Sequence, residues 1–156
     1  RRWPPLAGDT VIKNGKATIT ITGLSALYAT LRKVSPRAQE VGVDVLNRGA
    51  GRVFAVSQES VPVGGIDPKG ELKASGRLYK ARVSKRSGRV YATITYGGAR
   101  LESKGEHAIV AIVQHENLSF KHSHGGPKFL ERPFLAEKEH VMDDLGRRIM
   151  EAISHA

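Results

Sequence analysis

The sequence has no cysteine, few aromatic residues and no long apolar run. Without cysteine the chain has no disulfides, no thiolate metal ligands and no cysteine nucleophile. No stretch approaches the roughly 18–20 apolar residues of a membrane-spanning helix, so no membrane partner is expected. Aromatic residues make up 6% of the chain, which leaves little material for stacking nucleic-acid bases. Because Arg1 leads into polar sequence, we expect no signal peptide and a native start upstream.

Positive charge is abundant and unevenly placed. The 156 residues, a length that suits one domain, carry 25 Lys and Arg against 15 Asp and Glu, a formal charge of +10. Residues 1–100 hold 18 basic and 6 acidic residues, whereas residues 101–156 hold 7 and 9. Within residues 69–89, Glu71 is the only acidic residue. This basic segment can follow a polyphosphate backbone, and it equally suits a solvated face or an acidic neighbouring subunit.

Turn signals and hydrophobic periodicity organise the first part of the chain. Residues 1–16 contain Pro-Pro, Gly-Asp and Asn-Gly dipeptides and are predicted to be a flexible arm. In residues 17–22 apolar Ala and Ile alternate strictly with Thr, which predicts a half-buried strand. Apolar spacing then predicts a short helix over 24–31 and a long amphipathic helix over 36–60. Two glycines inside the long helix either weaken it or permit a close helix crossing; they are Gly49 and Gly51.

The second part combines a long loop, a hairpin and a last helix. Residues 61–76 are rich in glycine and proline and are predicted to be a loop. A β-hairpin follows, with strands over 78–84 and 89–96. Strict alternation sets Tyr79, Ala81 and Val83 on one face, opposite Lys80, Arg82 and Ser84. On the second strand it sets Val90, Ala92, Ile94 and Tyr96 on one face, opposite Tyr91, Thr93 and Thr95.

The apolar run Ala-Ile-Val-Ala-Ile-Val at 108–113 predicts a strand buried on both faces. Residues 117–128 are predicted to be a loop, and a helix begins near residue 130 with Pro133 in its first turn. The predicted core stripe of this helix is Leu135, Met142, Leu145, Ile149 and Ile153.

The predicted order of elements is β-α-α-ββ-β-α, which favours an α+β fold over a parallel α/β fold. We expect residues 17–156 to form a single domain. Its small mixed or antiparallel sheet, with a long β-hairpin, would pack against the long N-terminal helix region and the C-terminal helix.

Histidines are the first candidates for a metal-binding or catalytic site. His115, Glu116, His122 and His124 offer nitrogen and oxygen ligands for zinc, but their spacing matches no zinc motif. In a strand, His115 and Glu116 would point to opposite faces. The sequence also lacks a G-x-S-x-G elbow and a phosphate-binding P-loop. We therefore expect no enzymatic activity and no cofactor, and a metal-dependent hydrolase built on these four residues is the weakest alternative.

Several short segments follow one another in a distinctive order. The chain has a strand that ends in glycine at residues 19–24 and a long helix that leads to Val61-Pro62. A Gly-x-Leu segment precedes the hairpin and occurs at both Gly70 and Gly76. The most specific part runs from His115-Glu116, through His-Gly-Gly-Pro at 124–127, to Lys-Phe-Leu-Glu at 128–131. Over about residues 17–155 the chain thereby resembles the neck or tail-completion (head–tail joining minor structural) proteins of long-tailed bacteriophages.

The resemblance implies a structural virion protein that forms a ring at the head–tail junction, around the DNA channel. It implies contacts with copies of itself, in a ring of six or twelve, and with neighbouring head-completion or connector and tail-terminator or tail-tube proteins. Packaged double-stranded DNA is a further candidate partner. The protein would lie in the virion, and in the host cytoplasm during assembly. The alternative is a nucleic-acid-binding module that uses the basic loop and hairpin at 69–89.

The two hypotheses, a ring subunit and a nucleic-acid-binding module, draw on one group of polar residues. The candidates for an interface or a DNA-channel surface are Lys69, Lys73, Arg77, Lys80, Arg82, Lys85, Arg86, Arg89, His115, Glu116, His122, His124 and Lys128.

Overall fold

The computed structural model shows an α+β fold. The residues that it describes are 7–13, 16–22, 36–64, 67, 69–86, 89–97, 110–119 and 122–154. Within them the elements are β1 (Ala7–Lys13), β2 (Lys16–Thr22), α1 (Pro36–Ser60), α2 (Glu71–Ala74), β3 (Arg77–Val83), β4 (Val90–Gly97), α3 (Val110–Glu116) and α4 (Glu131–Ser154). The predicted fold class, the long helix, the hairpin and the last helix are confirmed. The helix predicted at 24–31 lies outside the described residues.

The four strands form one antiparallel sheet in the order β1-β2-β4-β3. β2 pairs with β4, which brings Ile19 opposite Ile94. β1 pairs with β2 along its whole length, from Ala7 opposite Thr22 to Lys13 opposite Lys16. The prediction of a flexible arm over residues 1–16 is therefore wrong for Ala7–Lys13. Asn-Gly between two strand-forming runs is typical of tight hairpins, but the prediction used this dipeptide only as a sign of an irregular arm.

Helix α1 lies between the sheet and α4. It packs on β3 and β4, and α4 packs along it, while α3 packs on β2 and β4. The crossing with α4 is close at Gly49, where an added Cβ would lie 2.3 Å from Val141 Cγ2. An added Cβ on Gly51 would meet nothing within 4 Å. Of the two alternatives for these glycines, close helix crossing is therefore correct for Gly49 and does not apply to Gly51.

An aromatic cluster joins the sheet to the helices. The ring of Tyr96 on β4 lies 6.2 Å from Phe54 and makes an edge-to-face contact with Phe129 at 5.2 Å. Its hydroxyl donates a hydrogen bond to Ser57 Oγ at 2.6 Å, because Ser57 Oγ itself donates to the Phe54 carbonyl at 2.8 Å. The largest fully buried side chains are Tyr96, Phe129, Leu46, Leu72, Ile94, Leu130, Leu145, Ile149 and His115.

Helix α4 buries a stripe that differs at one end from the predicted one. The prediction named Leu135, Met142, Leu145, Ile149 and Ile153. Leu145 and Ile149 are buried and Met142 packs against the core, which confirms those three. Leu135 is wrong, since it is 49% exposed and Phe134 is buried beside it. The side chain of Ile153 lies outside the described residues. No described helix is both long enough and apolar enough to cross a membrane.

The strand predicted over 108–113 is wrong, because residues from Val110 onward form helix α3. A short continuous apolar run fits a buried helix as well as a buried strand, so periodicity could not separate the two. α3 turns Ala111, Gln114 and His115 inward, and all three have no exposed surface. Residues 108 and 109 lie outside the described residues.

Candidate interaction surface

A β-bulge decides which side chains of β3 face outward. Tyr79 pairs with Thr93 and Arg82 pairs with Tyr91, so two residues of β3 lie opposite one residue of β4. A bulge of this kind breaks the alternation of a strand. Consequently Leu78, Ala81 and Val83 pack against the core, while Tyr79, Lys80 and Arg82 are exposed. The predicted faces of β3 are therefore wrong for Tyr79, which shares its face with Arg82.

Helix α1 holds the bulge in place. The side-chain oxygen of Asn47 accepts a hydrogen bond from the backbone N–H of Ala81 at 2.6 Å. Ala81 lies in the bulge, where the regular ladder to β4 is interrupted. An unpaired backbone N–H at a half-buried position would be costly, so Asn47 compensates for the hydrogen bond that the bulge removes.

Strand β4 behaves as its alternation predicts. Val90, Ala92, Ile94 and Tyr96 are buried, whereas the alternate residues remain partly accessible. Residues that pair directly across antiparallel strands point to the same side of the sheet. The outer face of the hairpin is accordingly formed by Arg77, Tyr79, Arg82, Tyr91, Thr93 and Thr95.

Cations extend beyond this outer face at both ends of the hairpin. Lys85, Arg86 and Arg89 are exposed around the turn between β3 and β4. Exposed Lys69 and half-buried Lys73 lie in the segment that leads to β3. A seven-residue strand spans about 20 Å, so the predicted basic residues line an elongated surface rather than a single cluster.

The segment predicted to be a loop at 61–76 contains the short helix α2, and Asp67 caps the start of this helix. Both carboxylate oxygens of Asp67 accept backbone hydrogen bonds, from the N–H of Glu71 at 2.8 Å and of Leu72 at 2.9 Å. These bonds satisfy free N–H groups at the start of α2. Asp67 is 5% exposed and also exchanges two backbone hydrogen bonds with Gly64. From the sequence Asp67 belonged only to the predicted loop at 61–76, and its capping role was not predicted.

A second candidate region joins α3 to α4 through Lys128. Its backbone N–H donates to the His115 carbonyl at 2.8 Å. Its ammonium group lies 2.7 Å from a Glu116 oxygen and 2.9 Å from a Glu131 oxygen. Lys128 has φ 59°, in the left-handed region that residues other than glycine rarely adopt. The backbone hydrogen bond to His115 and the ion pairs with Glu116 and Glu131 therefore hold Lys128 in this conformation.

His115 lies inside the protein and is not a surface contact. It has no exposed surface, its ring packs edge-to-face on Phe129 at 5.1 Å, and its Nδ1 lies 2.7 Å from a Glu116 oxygen. The expectation that His115 and Glu116 point to opposite faces of a strand is wrong, since both belong to helix α3 and are hydrogen-bonded to each other.

The charges at this junction stabilise one another. The hydrogen bond from Lys128 lowers the pKa of Glu116, and burial opposes this lowering. The hydrogen bonds to Glu116 and then Glu131 raise the pKa of Lys128.

Partial burial lowers the pKa of His122, because burial disfavours the charged imidazolium.

The structure does not assemble the predicted histidine site. Within the described ranges, no group of three or more His, Asp or Glu side chains is placed to hold a metal ion. His124 is exposed, and its Nε2 makes a hydrogen bond of 3.0 Å with the Glu59 carbonyl at the end of α1. Its backbone pairs with Val63. His124 therefore fastens the loop at 122–128 to the segment that follows α1.

Comparison with known proteins adds no relative. The chain matches no protein-family model, and no curated protein or solved structure is significantly similar to it.

Proposed function

We propose that this chain is a structural virion protein of a tailed bacteriophage, which forms an oligomeric ring at the head–tail junction around the DNA channel. In this role it joins or completes the tail through protein–protein contacts and catalyses no reaction. Its partners would be copies of itself and the adjoining head-completion or connector and tail-terminator or tail-tube proteins.

The observation that carries the proposal is the physical continuity of the most specific resembling segment. His115-Glu116 and the Lys-Phe-Leu-Glu motif at 128–131 are separate in the sequence, yet in space they meet at the junction of α3 and α4. The Lys128 backbone closes the loop on His115, and its side chain joins Glu116 to Glu131. These contacts hold the two ends of the loop at 117–128 together.

That loop presents an apolar side chain to solvent. Leu118 is 67% exposed, and its neighbours Asn117 and Ser119 are also exposed. Subunits of a closed ring contact each other head-to-tail, through different surfaces of the same chain. An exposed apolar side chain on a braced loop is a suitable anchor for such a contact.

The test is the size of the assembled protein. We expect light scattering and electron microscopy of the full chain to show closed rings, of six or twelve copies as the resemblance implies. Leu118→Ser should reduce ring formation without changing the thermal midpoint of the subunit. Met150→Ser is the matched control, because Met150 is similarly exposed at 62% on α4. A chain that stays monomeric and never enters virions would contradict the proposal.

A further inference from the structure

Four cations of the hairpin have no acidic partner among the residues that the structure describes. Within the described part of the chain, Lys80, Lys85 and Arg86 are exposed and make no ion pair. Arg82 makes none either, and its guanidinium instead lies over the Tyr91 ring, 5.1 Å from the centroid. Their charge is therefore available to a partner.

Many of the described acidic side chains are neutralised within the chain. Arg48 and Arg148 both pair with Asp44, and Arg52 pairs with Glu137. Further carboxylates are paired in the same way by Lys128 and Arg147; they are Glu116, Glu131, Asp144 and Glu151. Exposed Glu40, Glu59 and Asp143 make no ion pair among the described residues, but a second copy of the chain carries the same formal charge of +10 as the first. Net charge consequently favours a polyanion over another subunit as the partner of the hairpin.

The bulge shapes the surface for this partner. Regular alternation would place Tyr79 and Arg82 on opposite faces of β3, whereas the bulge brings both onto the outer face. Tyr91 positions the Arg82 guanidinium on the outer face through a cation–π contact. Tyr79, on the same face, is 56% exposed and free to lie against a sugar or base.

The geometry points to the outer face of the β3–β4 hairpin, together with exposed Lys80 in the bulge and Lys85 and Arg86 in the turn, as a nucleic-acid contact. In this contact Lys80, Arg82, Lys85 and Arg86 bind backbone phosphates. This inference rests on the proposed function for its ligand, since a ring around the DNA channel presents such a face to packaged duplex. Four phosphate contacts correspond to a slope of about −3.6 in a plot of log affinity against log salt concentration.

The experiment titrates the full chain into a fluorescent 20-base-pair duplex, and separately into a single strand of equal length, at several salt concentrations. Removal of one phosphate contact should reduce the salt slope by about one. We expect this for Lys80→Ala and for Arg82→Ala on the duplex. Lys138→Ala, at a partly exposed lysine of α4 that pairs with Glu139, should leave the slope unchanged. Tyr79→Ala should weaken binding to the single strand more than binding to the duplex.

Ring size, measured in the same samples, separates this inference from the proposed function. Rings that form but bind neither nucleic acid overturn the inference and leave the proposed function intact. A monomer that binds duplex with the expected slopes supports the inference and contradicts the ring. If Lys80→Ala and Arg82→Ala instead prevent ring formation, the hairpin contacts another subunit and the inference is wrong. An equal effect of Lys138→Ala would also overturn it, because binding would then not be located on the hairpin.

Discussion

Asn47 on α1 and Ala81 on β3 are 34 residues apart in the chain and are joined by a hydrogen bond of 2.6 Å from the Ala81 N–H to the Asn47 side-chain oxygen. This bond compensates for the backbone hydrogen bond to β4 that the bulge removes. Since the bulge determines that Tyr79 and Arg82 share the outer face, a hydrogen bond to helix α1 helps to define that face of the hairpin.

Asn47→Ala should destabilise the protein by about 1–3 kcal/mol, because the Ala81 N–H would lose its acceptor at a half-buried position. Asn47→Asp keeps an oxygen acceptor and should cost less. Urea unfolding of the three proteins measures both effects. Equal stability of Asn47→Ala and the unchanged protein would show that the bulge does not depend on this bond.

The two glycines of α1 should respond in opposite directions to alanine. Gly49→Ala places a methyl group against Val141 and should cost roughly 1–3 kcal/mol through overpacking. Gly51→Ala meets open space and should stabilise the helix by up to about 1 kcal/mol. Unfolding midpoints of the two variants test this, and adding Val141→Ala to Gly49→Ala should recover part of the loss. The same sign for both glycines would contradict the observed crossing.

Truncations along α4 should reveal its buried stripe. Leu145→Ala or Ile149→Ala should cost roughly 2–5 kcal/mol, because each leaves a cavity in the core. Leu135→Ala, at an exposed position of the same helix, should change the stability by less than about 0.5 kcal/mol. Chemical denaturation compares the three, and a large loss at Leu135 would mean that α4 is rotated.

Tyr96 should make the protein sensitive to alkaline pH. Burial raises its pKa from 10.0 to about 12, against a smaller opposing effect of its hydrogen bond with Ser57. The unfolded chain releases this proton at a lower pH than the folded chain, so stability is retained below pH 10 and falls between pH 10 and 12. The thermal midpoint of Tyr96→Phe should therefore decrease less between pH 10 and 12 than that of the unchanged protein. Tyr79→Phe, at an exposed tyrosine, should leave it unchanged.

The junction at Lys128 should weaken in acid. Because Lys128 holds the pKa of Glu116 below its ordinary value, the stabilisation is complete above that ordinary value and disappears as pH falls through the lowered pKa. Lys128→Met should therefore lose less stability than the unchanged protein between pH 5 and 2. Lys138→Met serves as the control for removing a lysine from another surface. Parallel pH profiles for the unchanged protein and Lys128→Met would rule out the coupling.

Much of the fold was predictable because local patterns are strong there. The apolar spacing of 36–60 and the alternation of Val90 to Tyr96 both matched the observed elements, since one face of each is buried. The run at 108–113 was mispredicted because an apolar stretch with no polar face carries no period. The strand Ala7–Lys13 was missed because turn-forming dipeptides on both sides were given more weight than the residues between them.

The candidate surface was predictable in composition and only partly in geometry. The basic residues of 69–89 were identified by charge alone, and most of them are exposed. His115 was misplaced, because no sequence pattern distinguishes a buried histidine on a helix from an exposed ligand. Asp67 was missed as a cap, because the short helix that it caps became apparent only in the folded loop.

The sequence by itself determined the absence of cysteine chemistry, the excess of positive charge in residues 69–89 and the long helices and hairpin. These depend on composition and on periods of two or about 3.6 residues, which a single segment contains in full. Tertiary structure alone decided that Gly49 rather than Gly51 meets α4, and that Arg82 shares a face with Tyr79. Both outcomes arise from contacts between residues far apart in the chain, the crossing with Val141 and the bond from Ala81 to Asn47.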